Sequence, residues 1–293
     1  MKTRHKAAII FIFAIIFIGT SSASMAITQG LFELGALVPF ARYDTAEGID
    51  TVVGIAIDSV NTSQGVYWSF HSASGERLAS GFMGVRENTF DYSFSLAGSA
   101  GGLGEGVSGY LVFVWNDDSI LQPDDDYQNL SANSFLVDLA FSDAAFLPVI
   151  PLIRSDFADG DINLLQMTAG SLVDLFYGVS LDAFGVSARY LVNPEGDDPV
   201  TTFFLFFPSG APDSLFMTFF STSGDVPEDA QISIASAGDK VVILDVGSMV
   251  PAGFTEGSVF IESPFSTPIG LLFALAFSSE VGAEQTLLGV ESL

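Results

Sequence analysis

The sequence predicts an all-β chain: two tandem antiparallel β-sandwiches of immunoglobulin-like size behind an export signal. Three observations predict it. Apolar residues recur at every second position in short segments, as in Phe90, Tyr92, Phe94 and Leu96 against Asp91, Ser93 and Ser95. That is the period of a strand with one buried face. The composition is 28 Phe, 29 Gly and 12 Pro in 293 residues, so residues that fit pleated surfaces are punctuated closely by turn formers. Finally, several short motifs recur in the same order in the second half of the chain. Hydrophobic residues are 49% and charged residues 15%, a balance that folds rather than stays disordered.

Read in order, residues 1–26 have the three parts of a signal peptide. Lys2, Arg4 and Lys6 supply positive charge, residues 7–18 are apolar throughout, and Ser24-Met25-Ala26 offers small residues for cleavage after Ala26, with Ala23 as the alternative. An apolar run of that length makes about 18 Å of helix, against a hydrocarbon core of roughly 30 Å. The alternative is an uncleaved anchor. The expected location is therefore secreted, extracellular or periplasmic, with no membrane span after cleavage.

Residues 27–152 form the first predicted sandwich, 153–179 a connector, and 180–293 the second sandwich. Ala41-Arg42-Tyr43 recurs as Ala188-Arg189-Tyr190, and TVVGIAIDS at 51–59 aligns with TTFFLFFPS at 201–209. WSFHSASGE at 68–76 aligns with MTFFSTSGD at 217–225, including the Ser-Gly turn. Residues 109–113 match 257–261, and Leu139-Ala140-Phe141-Ser142 recurs as Leu275-Ala276-Phe277-Ser278. The spacing shortens at that last match because the first copy carries an extra acidic loop, residues 116–133. Trp68 is placed at the centre of its sandwich, equivalent to Met217. The connector has a stretch, 164–176, suited to a short helix.

This order of motifs ("PFARYD…TVVGIAI", "VYWSF…SGE", "GYLVF", a closing "LAFS") resembles that of uncharacterised secreted bacterial proteins with tandem immunoglobulin-like repeats. The resemblance implies a fold and an envelope or extracellular setting. It brings no catalytic residues with it.

Charge excludes several classes of function. Lys+Arg number 9 against Asp+Glu 35, a formal net charge of -26, and three of the cations lie in the segment expected to be removed. Such a polyanion repels nucleic acid and anionic lipid. With no Cys, thiolate metal sites and thiol nucleophiles are excluded. The mature part keeps one His, His71, which alternates with Trp68 on its strand and answers to Phe220 in the second copy. A surface or inter-sheet place suits it better than catalysis, since no Ser motif of the nucleophile-elbow kind is present.

The candidate ligand sites are acidic. Asp117, Asp118, Asp124 and Asp126, with Asp125 and Asn116, gather the oxygen atoms that Ca²⁺ requires, as do Asp156, Asp159 and Asp161 with Asn163 in the connector. Neither has the spacing of a helix–loop–helix calcium hand, and a solvated acidic loop is the plainer reading. Asp197-Asp198-Pro199 reads as a turn, and the glycines at 101–104 precede a strand and so make no phosphate cradle. Arg42 and Arg189 are expected to form structural ion pairs within the two copies. Phe203, Phe204, Phe206 and Phe207, with Phe216, Phe219 and Phe220, give adjacent strands two aromatic faces. The one outside the core needs a cover: the other sandwich, the connector or another molecule. The expected function is a non-enzymatic structural, adhesive or binding protein. The alternatives are a calcium-dependent or carbohydrate-binding module, for which Trp68, Trp115 or Tyr110 would face a surface glycan, and a secreted hydrolase.

Overall fold

The computed structural model describes residues 35–57, 65–84, 91–100, 106–116, 130–140, 143–152, 185–192, 200–264, 267, 269, 271–276 and 284–287. The signal peptide, both acidic clusters (Asp117, Asp118, Asp124 and Asp126; Asp156, Asp159 and Asp161), the connector 153–179, the glycines at 101–104 and the turn at Asp197 lie outside them. The described chain is nearly all β. One short helix, α1 (Leu96–Ser99), and one 3-10 turn at Val246–Ser248 interrupt it, each capped by the preceding side chain: Ser95 accepts from the Gly98 N–H and Asp245 from the Gly247 N–H. Among the described residues no helix is long and apolar enough to cross a membrane.

The first half supplies β1 (Gly35–Tyr43), β2 (Ile49–Ile57), β3 (Gly65–Ser72), β4 (Arg77–Gly84), β5 (Asp91–Ser95), β6 (Val107–Asn116), β7 (Leu130–Asp138), β8 (Asp143–Leu147) and β9 (Ile150–Leu152). The second supplies β10 (Gly185–Leu191), β11 (Thr202–Phe206), β12 (Ser214–Ser221), β13 (Glu228–Ser233), β14 (Val241–Asp245), β15 (Glu256–Glu262), β16 (Leu271–Ala276) and β17 (Glu284–Leu287). They form four antiparallel sheets: β5-β2-β7-β8 (sheet I), β4-β3-β6-β1-β9 (sheet II), β14-β11-β16-β17 (sheet III) and β10-β15-β12-β13 (sheet IV). Apart from β9, adding nine to each strand number of sheets I and II reproduces sheets III and IV. The two halves of the chain thus share one strand order.

Cross-strand registers show which matches are true. Trp68 pairs with Phe113 and Met217 with Ile261, so these two residues share one place, and both are buried. Thr51 closes a pair of hydrogen bonds with the Arg42 N–H and carbonyl, and Thr201 does the same with Leu191. The equivalent of Arg42 is therefore Leu191, which corrects the Ala-Arg-Tyr match and the equivalence of Arg42 with Arg189. The motif is displaced by two residues along the strand, and a bulge between Val38 and Ala41 is absent from β10. An even displacement keeps Ala and Tyr pointing inward in either register, so alternation alone cannot expose it. The Leu139 match fails in the same way: Val52 pairs with Phe135 and Thr202 with Leu275, so Leu275 answers to Phe135. Leu139 lies in an exposed turn beyond β7.

Burial patterns give the layering. In β2, β12 and β15 buried and more open positions alternate, as in outer layers. In β1 and β3 nearly every residue is buried, and in β11 four of five are, so these strands are covered on both faces. Sheet II packs against sheet I through Trp68, Phe94 and Phe113, with ring centroids 5.0 and 5.1 Å apart. Its other face meets sheet III, where Phe40 touches Phe204 at 4.3 Å and Tyr110 touches Phe206 at 5.7 Å. Phe203, Leu205 and Phe207 point the opposite way, into the core shared with sheet IV. The result is a stack in the order I, II, III, IV. The second aromatic face of β11 is covered by the first half of the chain, whereas Phe216 and Phe220, on the outer face of sheet IV, stay 48% and 41% exposed.

Candidate functional site

Two places combine polar chemistry with a defined environment. One lies on β3, where Ser69 and His71 project from sheet II toward sheet III. His71 Nδ1 is 3.4 Å from the Gly75 carbonyl, an acceptor, so Nδ1 carries the proton and Nε2 accepts from the Ser69 hydroxyl at 2.9 Å. The imidazole stacks on Tyr110 with centroids 5.0 Å apart and planes 2° from parallel. A hydroxyl beside a neutral imidazole has the outline of a nucleophile and its base. Its setting removes that capacity: Ser69 and His71 are 1% and 0% exposed, with the Tyr110 ring against the imidazole. Desolvation holds the His71 pKa down at about 4, with the Arg77 and Lys240 charges adding to the effect and the Gly75 carbonyl partly opposing it.

The pair belongs to the joint between the halves. The Lys240 and Val241 N–H groups both donate to the Ala73 carbonyl, at 2.7 and 3.4 Å, just beyond the end of β3. The buried Lys240 ammonium donates to the Pro208 carbonyl, and burial lowers its pKa. Burial likewise raises that of Tyr110, whose hydroxyl has no hydrogen-bond partner among the described residues. Of the surface and inter-sheet places open to His71, it takes the inter-sheet one. Phe220, at the matching position, is exposed because sheet IV is the outermost layer.

The second place is a cleft of about 430 Å³ where three sheets converge. Strand β9 pairs with β1 only along Gly35–Leu37, and beyond it the edge of β1 is met at Arg42 by the Thr51 hydroxyl of β2. There Phe40 and Arg42 of β1 meet Ile49, Leu136 and Asp138 of sheet I and Thr202, Phe204, Ile243 and Asp245 of sheet III. Arg42 Nη2 reaches Asp44 at 3.3 Å and Glu47 at 2.7 Å, the structural ion pair expected of it. Arg189 is exposed and makes no ion pair among the described residues, and Glu195, Asp197 and Asp198, the acids that follow it in the chain, lie outside them. Its displaced register puts it beside Ser258, away from the turn that supplies acids to Arg42. Asp245 accepts the Gly247 N–H at 3.0 Å, and Asp138 accepts that of Ala140 at 2.9 Å.

The aromatic residues considered for glycan stacking fare differently. Trp68 is 6% exposed and Tyr110 fully buried, so neither faces a surface; both fill layers between sheets. Among the described residues no three acidic or histidine side chains come together as metal ligands. The sequence gives no sign of the cleft because its walls are remote in the chain and join only when sheet II stacks on sheet III.

No family model and no curated protein matches the chain. Among solved structures, a chain from a complex of the Amycolatopsis orientalis exo-chitosanase with PNP-β-D-glucosamine is similar at 10% identity and a TM-score of 0.14. The similarity covers 80% of the present chain and 25% of the exo-chitosanase. A likeness that slight carries no argument about fold or activity.

Proposed function

We propose that the chain is an exported, non-enzymatic structural, adhesive or binding protein of a bacterial envelope or its surroundings. The observation that carries this reading is the use of the Ser69–His71 pair as part of a sealed joint between layers, where no substrate reaches it. Export rests on residues 1–26. The exposed Phe216 and Phe220 on the outer face of sheet IV suit an adhesive or self-associating surface, flanked as they are by polar strand residues. N-terminal sequencing of the exported protein is expected to begin at Ile27. Purified protein is expected to turn over neither p-nitrophenyl esters nor p-nitrophenyl glycosides. An activity abolished by Ser69→Ala would overturn the reading.

A calcium-dependent role is the second reading, favoured by the two acidic clusters of the sequence. Asp+Glu number 35 against 9 Lys+Arg, so screening alone is expected to raise the melting temperature in NaCl. At matched ionic strength CaCl₂ is expected to raise it further when Asp117, Asp118, Asp124 and Asp126, or Asp156, Asp159 and Asp161, hold the ion. Equal effects of the two salts exclude a calcium site.

A further inference from the structure

We propose that the cleft beside Phe40 and Arg42 of β1, between sheets I and III, binds a small organic cation, an ammonium or guanidinium group carried on an apolar body. Its volume, about 430 Å³, lies within the range of small-molecule sites. Phe40, Ile49, Leu136, Phe204 and Ile243 provide apolar walls, with the Phe40 and Phe204 rings 4.3 Å apart and tilted by 46°. Such walls accept a hydrocarbon or ring and offer aromatic faces to a cation.

Charge sets the sign of the ligand. Arg42 is the cation of the lining; its Nη2 is engaged by Asp44 and Glu47, which offset its charge, while its buried Nε has no hydrogen-bond partner among the described residues. Asp138 and Asp245 add two more carboxylates. One positive and two negative groups therefore line the cleft, with Asp44 and Glu47 behind Arg42, in a chain of net charge -26, which concentrates cations and repels anions. A bare metal ion fits poorly, since no cluster of three acidic or histidine side chains stands at ligand spacing among the described residues and much of the wall is hydrocarbon.

The repeat singles out Asp245 as the anchor. In the first half the corresponding place is Ser95, paired with Val52 as Asp245 is with Thr202. A hydroxyl at Ser95 caps its turn as well as the carboxylate does at Asp245. The negative charge of Asp245 is therefore not needed for the cap, and no cation pairs with it among the described residues. Phe204 and Ile243 likewise stand where the first half has Gly54 and Ser93 on an outer face. The part of the cleft that the second half supplies, Thr202, Phe204, Ile243 and Asp245, is made of positions at which it departs from the first, where Val52, Gly54, Ser93 and Ser95 stand.

The test uses the mature protein and three probes with one skeleton: phenethylammonium, phenethyl alcohol and phenylacetate, in roughly 0.15 M NaCl to suppress diffuse attraction. Calorimetry and thermal shift are expected to show saturable binding of the ammonium, with the alcohol and the carboxylate at least about tenfold weaker. Asp245→Ser keeps a capping hydroxyl, so it is expected to melt near the parent temperature while losing about tenfold in ammonium affinity. Equal binding of all three probes, ammonium binding untouched by Asp245→Ser, or no binding by any probe would each overturn the proposal. None of these outcomes bears on export or on the absence of turnover, which stand or fall separately.

Discussion

Gly109→Ala is expected to destabilise the folded chain by roughly 3 kcal/mol or more, read as a fall in the urea midpoint at unchanged slope. Gly257→Ala is expected to match it. A Cβ on Gly109 would lie 1.8 Å from the His71 carbonyl oxygen and 2.8 Å from its carbon, and one on Gly257 would lie 1.9 Å from the Phe220 oxygen. These are backbone atoms of the neighbouring strand, so no rotamer change relieves the clash and the strands must separate. At Gly109 the strand displaced is β3, which also carries the joint to sheet III, so the damage spreads beyond one ladder. Gly253 is the control. It has a φ of 91°, but a Cβ there would meet nothing within 4 Å, so its change to Ala incurs only the left-handed penalty of about 1–2 kcal/mol. Equal losses at Gly109 and Gly253 would show that the close approach is not made.

The same two glycines show what the sequence carries. The match of Gly109 with Gly257 holds, as do those of Trp68 with Met217 and Thr51 with Thr201, because each residue does a task set by its own sandwich. A strand crossing, a core volume and a strand-end hydrogen bond are local demands, and they leave local signatures. The matches of Ala41-Arg42-Tyr43 and Leu139-Ala140 fail for an equally physical reason. A slip of two or four residues preserves which side chains face inward, so period two cannot reject it; only the pairing partners can.

The stacking of the halves is partly legible in the sequence. Phe204 and Phe206 announce an aromatic face in need of cover, and the first half provides it. On the opposing side the signal is weak, since Tyr67, Ser69 and His71 read as the solvent face of an ordinary alternating strand. Their burial follows from the place of sheet II in the stack, a property of the whole molecule. The cleft shares that origin, because Asp138 and Asp245 come together only through the same stacking.

His71 makes the joint between the layers sensitive to acid. In the unfolded chain its pKa returns to 6.5, whereas burial holds it at about 4 in the fold. The folded pKa is depressed, so the contribution is complete above about pH 6.5. It declines as the unfolded state takes up a proton that the native state refuses, and it is exhausted near pH 4. The interval corresponds to about 3 kcal/mol. The groups facing the ring reinforce the refusal: Arg77 on β4 and Lys240 at the start of β14 are cationic, and Tyr110 and Ser69 are neutral. Protonating the many carboxylates relieves repulsion over part of the same range and partly masks the loss, so a single pH profile is insufficient. The comparison is with His71→Gln, which keeps a polar side chain but does not titrate. It is expected to be less stable than the parent at pH 7, with the difference shrinking by about 3 kcal/mol toward pH 4 in urea unfolding followed by fluorescence. Parallel profiles for the two proteins would mean that His71 is free to take up a proton in the folded chain, and the sealed joint would have to be abandoned.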